Sequence, residues 1–181
     1  MQVDISGCRL QLLQGDITEQ NVDVIVNAAN SQLAGGGGVD RAIHDAGGPS
    51  IMEETDVLYP DGCPTGSAVA SGAGLLSAKH VFHAVGPVWR GGKQGEPVAL
   101  QSAYRKCLQL AQQHDCNSIA FPALSAGAFG YPLDLAANVA LKTCTDFQKW
   151  HKAPAEVRFV LFSEGVYGAF AKSLETLIEL K

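Results

Sequence analysis

Three stretches of this chain bring together groups that can handle an anionic ligand and a water molecule. The first runs Gly35-Gly36-Gly37-Gly38-Val39-Asp40. Consecutive glycines are entropically costly to order, and the cost makes sense where the backbone must approach a ligand and turn its N–H groups toward it. Asp40 sets a carboxylate beside that backbone. The second stretch is Val26-Asn27-Ala28-Ala29-Asn30, whose two amides can each donate and accept hydrogen bonds. The third is Ser125-Ala126-Gly127-Ala128-Phe129, followed by Gly130-Tyr131-Pro132. Its small residues can cradle a phosphate through N–H groups near a helix start, with no formal positive charge. A shorter stretch, Gly15-Asp16-Ile17-Thr18, offers a carboxylate able to accept from an exocyclic amine.

Each stretch also has a plain structural alternative. Asp40 after glycine suits a helix N-cap, and Asp16 or Thr18 suits a turn cap. The two asparagines can cap loop backbone. The third stretch can be a tight loop anchored by Phe129 and Tyr131. His44 reads best as a packing residue on the inner face of a helix. The glycine run is not a Walker loop, because no Gly-Lys-Ser/Thr follows, and it lacks the third glycine of a dinucleotide fingerprint. His80 and His83 alternate on one predicted strand without metal-ligand company. Trp89 and Trp150 read as packing residues.

The elements that must hold these groups alternate in type. Predicted strands cover 9–14, 22–27, 80–85, 118–122 and 157–163, and predicted helices cover 39–46, 101–114, 133–150 and 167–180. The run VDVIVN is apolar and β-branched, as in a strand buried on both faces. Strands alternating with helices imply an α/β fold, and the closely spaced opening strands imply an antiparallel edge on a mixed sheet. Asn27 then ends one buried strand and Ser125 follows another, and ligands of open α/β sheets sit beyond the carboxyl ends of strands. Residues 90–97 read as a surface loop, and the 181 residues as a single domain.

Composition narrows the function. The formal net charge is −5, with no long Lys/Arg cluster, which disfavours nucleic-acid binding by phosphate neutralisation. Five cysteines without CxxC spacing argue against a disulfide framework and a zinc knuckle. They suit reduced thiols in a cytoplasmic protein. The N-terminal stretch has neither a basic region nor a long apolar run, so no signal peptide or membrane span is expected.

Taken together, GDIT at 15–18, VDVIVNAAN at 22–30, GGGGVDRAIH at 35–44, HAVGPVW at 83–89 and FPALSAGAFGYP at 121–132 resemble the macrodomain family. The likeness is to its MacroD-type branch, and within it to bacterial O-acetyl-ADP-ribose deacetylases. It runs over nearly the whole chain. The resemblance implies a three-layer α/β/α sandwich around a mixed, mostly parallel sheet, with ADP-ribose in a cleft at the strand ends. It implies that Asp16 meets the adenine amine, that Ile17 adds a backbone contact, and that Phe162 packs on the adenine. Ser125, Ala126, Gly127, Ala128 and Phe129 would wrap the diphosphate, with Phe129 against the distal ribose. Asn27, Gly37, Gly38 and Val39 would line the pocket, and Asn30 and Asp40 would be the polar pair at that ribose. Members of the branch usually carry Ser-Thr-Gly where this chain has Ser125-Ala126-Gly127. One hydroxyl contact is then lost, worth about 0.5–1.5 kcal/mol.

The activity implied is hydrolysis of an acyl ester on the distal ribose, whether O-acetyl-ADP-ribose or ADP-ribosyl-Asp/Glu on a protein. Such chemistry asks for a positioned water and a group to orient or deprotonate it. Asp40 is expected in that role, helped by the substrate's own phosphate, with Asn30 holding the ribose hydroxyls. No metal or cofactor is called for. Two other readings stand beside this one: a non-catalytic ADP-ribose reader, and a regulatory protein acting through a protein or RNA partner. Asp40 beside the glycines favours the enzyme, since a pure reader needs no acid there.

Overall fold

The computed structural model describes residues 1–179. Seven strands form one sheet: β1 (Gln2–Ile5), β2 (Cys8–Gln14), β3 (Val24–Ala28), β4 (Ala68–Gly72), β5 (His80–Ala84), β6 (Ser118–Phe121) and β7 (Glu156–Leu161). Five helices accompany them: α1 (Gly38–Gly47), α2 (Ser50–Leu58), α3 (Glu96–Gln113), α4 (Leu133–His151) and α5 (Glu164–Glu179). The strand order is β1-β2-β7-β6-β3-β5-β4. The interior pairs are parallel, while β1 with β2 and β4 with β5 are antiparallel. The sheet is therefore mixed, as expected, but antiparallel at both edges rather than one.

Alternation along the central strands builds two cores. Val24 and Val26 of β3, Phe121 of β6 and Phe159 of β7 face one side and pack with Leu100, Tyr104, Leu141 and Phe170 from α3, α4 and α5. Ile25, Ala120 and Val160 face the other side and meet Ile43 of α1 and Ile51 of α2. Both faces are covered, so these strands read as nearly continuous apolar runs. Each buried Leu, Ile or Phe contributes about 1.5–3 kcal/mol relative to exposure. The result is the α/β/α sandwich.

Several details depart from the sequence reading. β1, β4 and α2 were not expected. β4 reads Ala-Val-Ala-Ser-Gly, too small and polar to show a strand period. Its outer edge is closed by side chains instead of another strand. Tyr59 Oη donates to the Ala70 carbonyl (2.6 Å), and the Gly72 N–H donates to Glu54 Oε2 (2.8 Å). Helix α3 starts at Glu96, inside the stretch expected to be loop, because Pro97 suits a first helical turn. Trp150 does not pack; it is 85% exposed. The expected end of the last helix, Leu180, lies outside the described residues.

All five cysteines are free and buried, and burial pushes every one of their thiols upward in pKa. No helix among the described residues is long and apolar enough to cross a membrane.

Candidate active site

The parallel strands β3 and β6 deliver their loops to the same end of the sheet, and β5 adds Gly86 just past its own end. These segments enclose a cavity of about 310 Å³. Asn30, Gly36, Gly37, Gly38, Val39 and Asp40 line one wall, and Ser125, Gly127, Ala128 and Phe129 line the other. The glycine run and the small-residue loop, 85 residues apart in sequence from Asp40 to Ser125 (125 minus 40), thus face one space.

The glycine wall is a helix start. Gly37 is the N-cap of α1, so Asp40 is not the cap that its position after glycine suggested; it lies in the first turn. The N–H groups of Gly36, Gly37 and Gly38 have no hydrogen-bond partner among the described residues. Unpaired donors at a helix N-terminus attract anions. Gly35 (φ 78°) and Gly38 (φ 58°) take left-handed conformations that bulkier residues avoid. Asn30 braces this turn: its Nδ2 donates to the Gly35 carbonyl (2.8 Å), and its Oδ1 accepts from the Ala34 N–H (3.1 Å).

Asp40 is nearly buried, at 5% exposure. Its Oδ1 accepts from Asn27 Nδ2 (2.7 Å), and His44 Nε2 approaches the same oxygen at 3.6 Å. Its Oδ2 has no partner among the described residues. That oxygen faces the glycine run, since a Cβ on Gly36 would sit 3.7 Å from it and 3.9 Å from Asn30 Nδ2. Oδ2 is itself buried against this turn, so a water that gives it a proton must enter beside the glycine run.

The opposite wall follows β6. Ser125 is left-handed (φ 65°) and buried, and its carbonyl accepts from the Tyr131 N–H at 3.0 Å. The N–H groups of Gly127, Ala128 and Phe129 are unpaired among the described residues, whereas that of Ala126 donates to Ala123 (3.3 Å). Ala126 does not line the cavity, and its side chain packs against the main core. Of the five expected cradle residues, Ala126 therefore offers a spent donor.

Two side chains distant in sequence steady this wall. Tyr104, fully buried in α3, accepts from the Leu124 N–H (3.0 Å) and donates to the Pro122 carbonyl (3.3 Å). Tyr104→Phe keeps the ring but strands the Leu124 donor, and should cost about 1–3 kcal/mol in a urea-denaturation measurement. Glu96 holds the neighbouring loop. Its Oε2 accepts from the N–H groups of Arg90 (3.0 Å) and Gly92 (2.6 Å), and its Oε1 from that of Gln94 (2.6 Å). Trp89, at the start of that loop, donates its N–H to Phe129 (2.8 Å) and rests on Tyr131.

Burial alone would raise the Glu96 carboxyl, but the backbone donors outweigh it and hold it below the ordinary value of 4.5. A depressed carboxylate adds stability that is fully present above its unfolded pKa and lost as pH falls through its folded pKa. Wild type should therefore exceed Glu96→Gln in denaturation midpoint near neutrality. The gap should close progressively below about pH 4.5, and a gap that stays constant to pH 3 would refute this role.

The remaining expected contacts lie farther out. Asp16 caps a 3₁₀ turn (Ile17–Glu19), accepting on Oδ1 from both the N–H and hydroxyl of Thr18 (2.8 and 2.7 Å). Ile17 is buried in the second core. Phe162 lies just beyond the end of β7 and is 81% exposed. The Gly15 N–H donates to the Leu161 carbonyl (3.0 Å), so Asp16 and Phe162 follow paired strand ends. None of Asp16, Ile17 and Phe162 lines the cavity.

Asn27 also departs from expectation. It has no exposed surface and sits behind Asp40, so it serves the carboxylate rather than a ligand. His44, expected only to pack, stands beside Asp40. The signal was present, because residues four apart on a helix share a face. Tyr104, Gly86 and His83 were given no role at this site; His83 and Gly86 lie within HAVGPVW, one of the motifs that carry the resemblance, whereas nothing in the sequence around Tyr104 points to this cavity.

A family model described as Macro domain matches residues 26–140. A macro domain-containing protein of Caldanaerobacter subterraneus subsp. tengcongensis is 51% identical over 171 residues, covering 93% of this chain and 97% of its own. A Salmonella gallinarum protein named O-acetyl-ADP-ribose deacetylase is 50% identical over 168 residues, covering 92% and 94%. The Oceanobacillus iheyensis macrodomain, solved with ADP, superposes with a TM-score of 0.95 at 36% identity, covering 100% of this chain and 97% of that one.

Proposed function

Since this chain belongs to the Macro domain family, we propose that it is an ADP-ribose-binding hydrolase, one domain over residues 1–181, that removes ester-linked acyl groups from the distal ribose. The observation that carries this reading is the unpartnered Oδ2 of a buried Asp40, turned to the glycine run of a cavity walled by two sets of unpaired backbone donors. The relative named O-acetyl-ADP-ribose deacetylase and the ADP bound by the Oceanobacillus protein support the ligand class.

In this reading the diphosphate lies between the α1 N-terminus and the N–H groups of Gly127, Ala128 and Phe129. Phe129 covers the distal ribose, while Asp16 and Phe162 receive the adenine outside the main cavity. Asp40 Oδ2 orients a water and takes its proton as the water adds to the acyl carbonyl. The ester C–O bond then breaks, the ribose oxygen gains a proton, and a carboxylic acid leaves. Asn30 keeps the glycine turn in place and meets a ribose hydroxyl. The substrates are O-acetyl-ADP-ribose and proteins ADP-ribosylated on Asp or Glu. The free cysteines suit work in a reducing cytoplasm.

The test is release of free ADP-ribose by wild type from two substrates, O-acetyl-ADP-ribose and a protein modified on glutamate. Release from either supports the hydrolase. Tight ADP-ribose binding with release from neither would leave a reader module instead.

A further inference from the structure

Behind Asp40 runs a buried chain of polar side chains that the reading above does not use. Asn27 Nδ2 lies 2.7 Å from Asp40 Oδ1 and 3.1 Å from His83 Nδ1. His83 Nε2 lies 2.8 Å from Ser71 Oγ, and Ser71 Oγ lies 2.9 Å from the Gly72 carbonyl. Asn27, His83 and Ser71 are all buried. The chain thus crosses three neighbouring strands, from the closed edge at β4 through β5 to β3, and ends on the carboxylate.

The hydrogens along it have one consistent arrangement. The Gly72 carbonyl can only accept, so the Ser71 hydroxyl donates to it. Ser71 Oγ then accepts from His83, which puts the ring proton on Nε2. His83 Nδ1 is left as an acceptor and takes one hydrogen of Asn27 Nδ2. The other hydrogen of that amide goes to Asp40 Oδ1. Turning the amide over would set its oxygen against the carboxylate. Burial, and secondarily the nearby His44, lower the His83 pKa to about 4, which keeps the ring neutral as this arrangement needs.

We propose that Ser71, His83 and Asn27 are positioning residues that fix Asp40 with one carboxylate oxygen held inward and the other turned to the glycine run. Without the chain, the plane of the carboxylate is free to turn about its last torsion, and neither of its equivalent oxygens is held toward the glycine run. The orphaned Asn27 Oδ1 fits the assignment: both hydrogens of this amide are engaged, and its acceptor is given up to keep them so. Positioning of this kind acts on the chemical step and leaves ligand affinity alone. The inference rests on the hydrolase reading for its consequence, though the hydrogen-bond chain itself does not.

The test is a set of His83 substitutions, assayed by hydrolysis of O-acetyl-ADP-ribose and by calorimetric binding of ADP-ribose. His83→Leu removes both ring nitrogens. It should lower kcat by about tenfold to a hundredfold while leaving the ADP-ribose Kd within about threefold of wild type. His83→Asn places a carbonyl near the Nδ1 position and should restore most of kcat. His83→Gln reaches toward Ser71 instead and should not. Equal loss, or no loss, in all three variants would overturn the proposal. A second readout needs no turnover: the long-range ¹H–¹⁵N spectrum of His83 in wild type near neutral pH. The proton should be on Nε2, and a proton on Nδ1 would overturn the chain whatever the activity. Wild type inert toward the ester but protonated on Nε2 would sink the hydrolase reading and leave the chain standing.

Discussion

Asp40→Ala should lower release of ADP-ribose from its acylated form by about 10²–10⁴-fold, the range expected for loss of a positioned base. ADP-ribose itself should still bind within about threefold of wild type, because the phosphate donors are backbone groups untouched by the change. The pairing of these results matters more than either alone. A loss confined to kcat places Asp40 in the reaction, whereas parallel loss of affinity would mean that the glycine wall had collapsed. Asp40→Asn is the companion variant. It keeps the shape but removes the charge, and its new amide must compete with the Asn27 amide that donates to this position at 2.7 Å. Turnover product measured by chromatography and affinity by calorimetry separate the cases. Wild-type activity in Asp40→Ala would end the assignment.

Gly86→Val should cost about tenfold to a hundredfold in ADP-ribose affinity. Gly86 lines the cavity beside the second wall, and a Cβ there would lie only 2.2 Å from Ser125 Oγ and 3.4 Å from Ser125 Cβ. Ser125 has little room to yield. Its φ of 65° already sits in a region that non-glycine residues avoid, and its carbonyl is tied to Tyr131. The loop must therefore move, carrying the donors of Gly127 and Ala128 with it. Overpacking of this sort typically costs about 1–3 kcal/mol. If calorimetry finds unchanged affinity in a folded Gly86→Val protein, the cradle is softer than its geometry implies.

The parts of the site visible in sequence are those made from contiguous chain. Gly35 to Asp40 and Ser125 to Phe129 carry their meaning locally, because a glycine run or a string of small residues shows what its backbone is free to do. The central strands were visible for a similar reason: β-branched runs such as Val24–Val26 need burial on both faces. Edge elements were not. β4 is short, small and partly exposed, and its capping by Tyr59 and Glu54 exists only after folding. Asn27 shows the other limit. An amide beside a glycine-rich site looks like a ligand contact in sequence, and only the tertiary register with His83 on β5 turns it inward. Phe162 and Asp16 are legible as types, yet they stand outside the main cavity, at 81% exposure in the case of Phe162.

The cysteines offer a clock. Each is enclosed and kept in its less nucleophilic, protonated form. A thiol-labelling reagent therefore meets almost no background on the native surface, and modification waits for the chain to breathe. Cys8 sits on β2 near the sheet margin, Cys107 in the middle of α3 and Cys144 in α4. The order in which they become labelled would chart which parts of the molecule open first, with no probe added to the natural sequence.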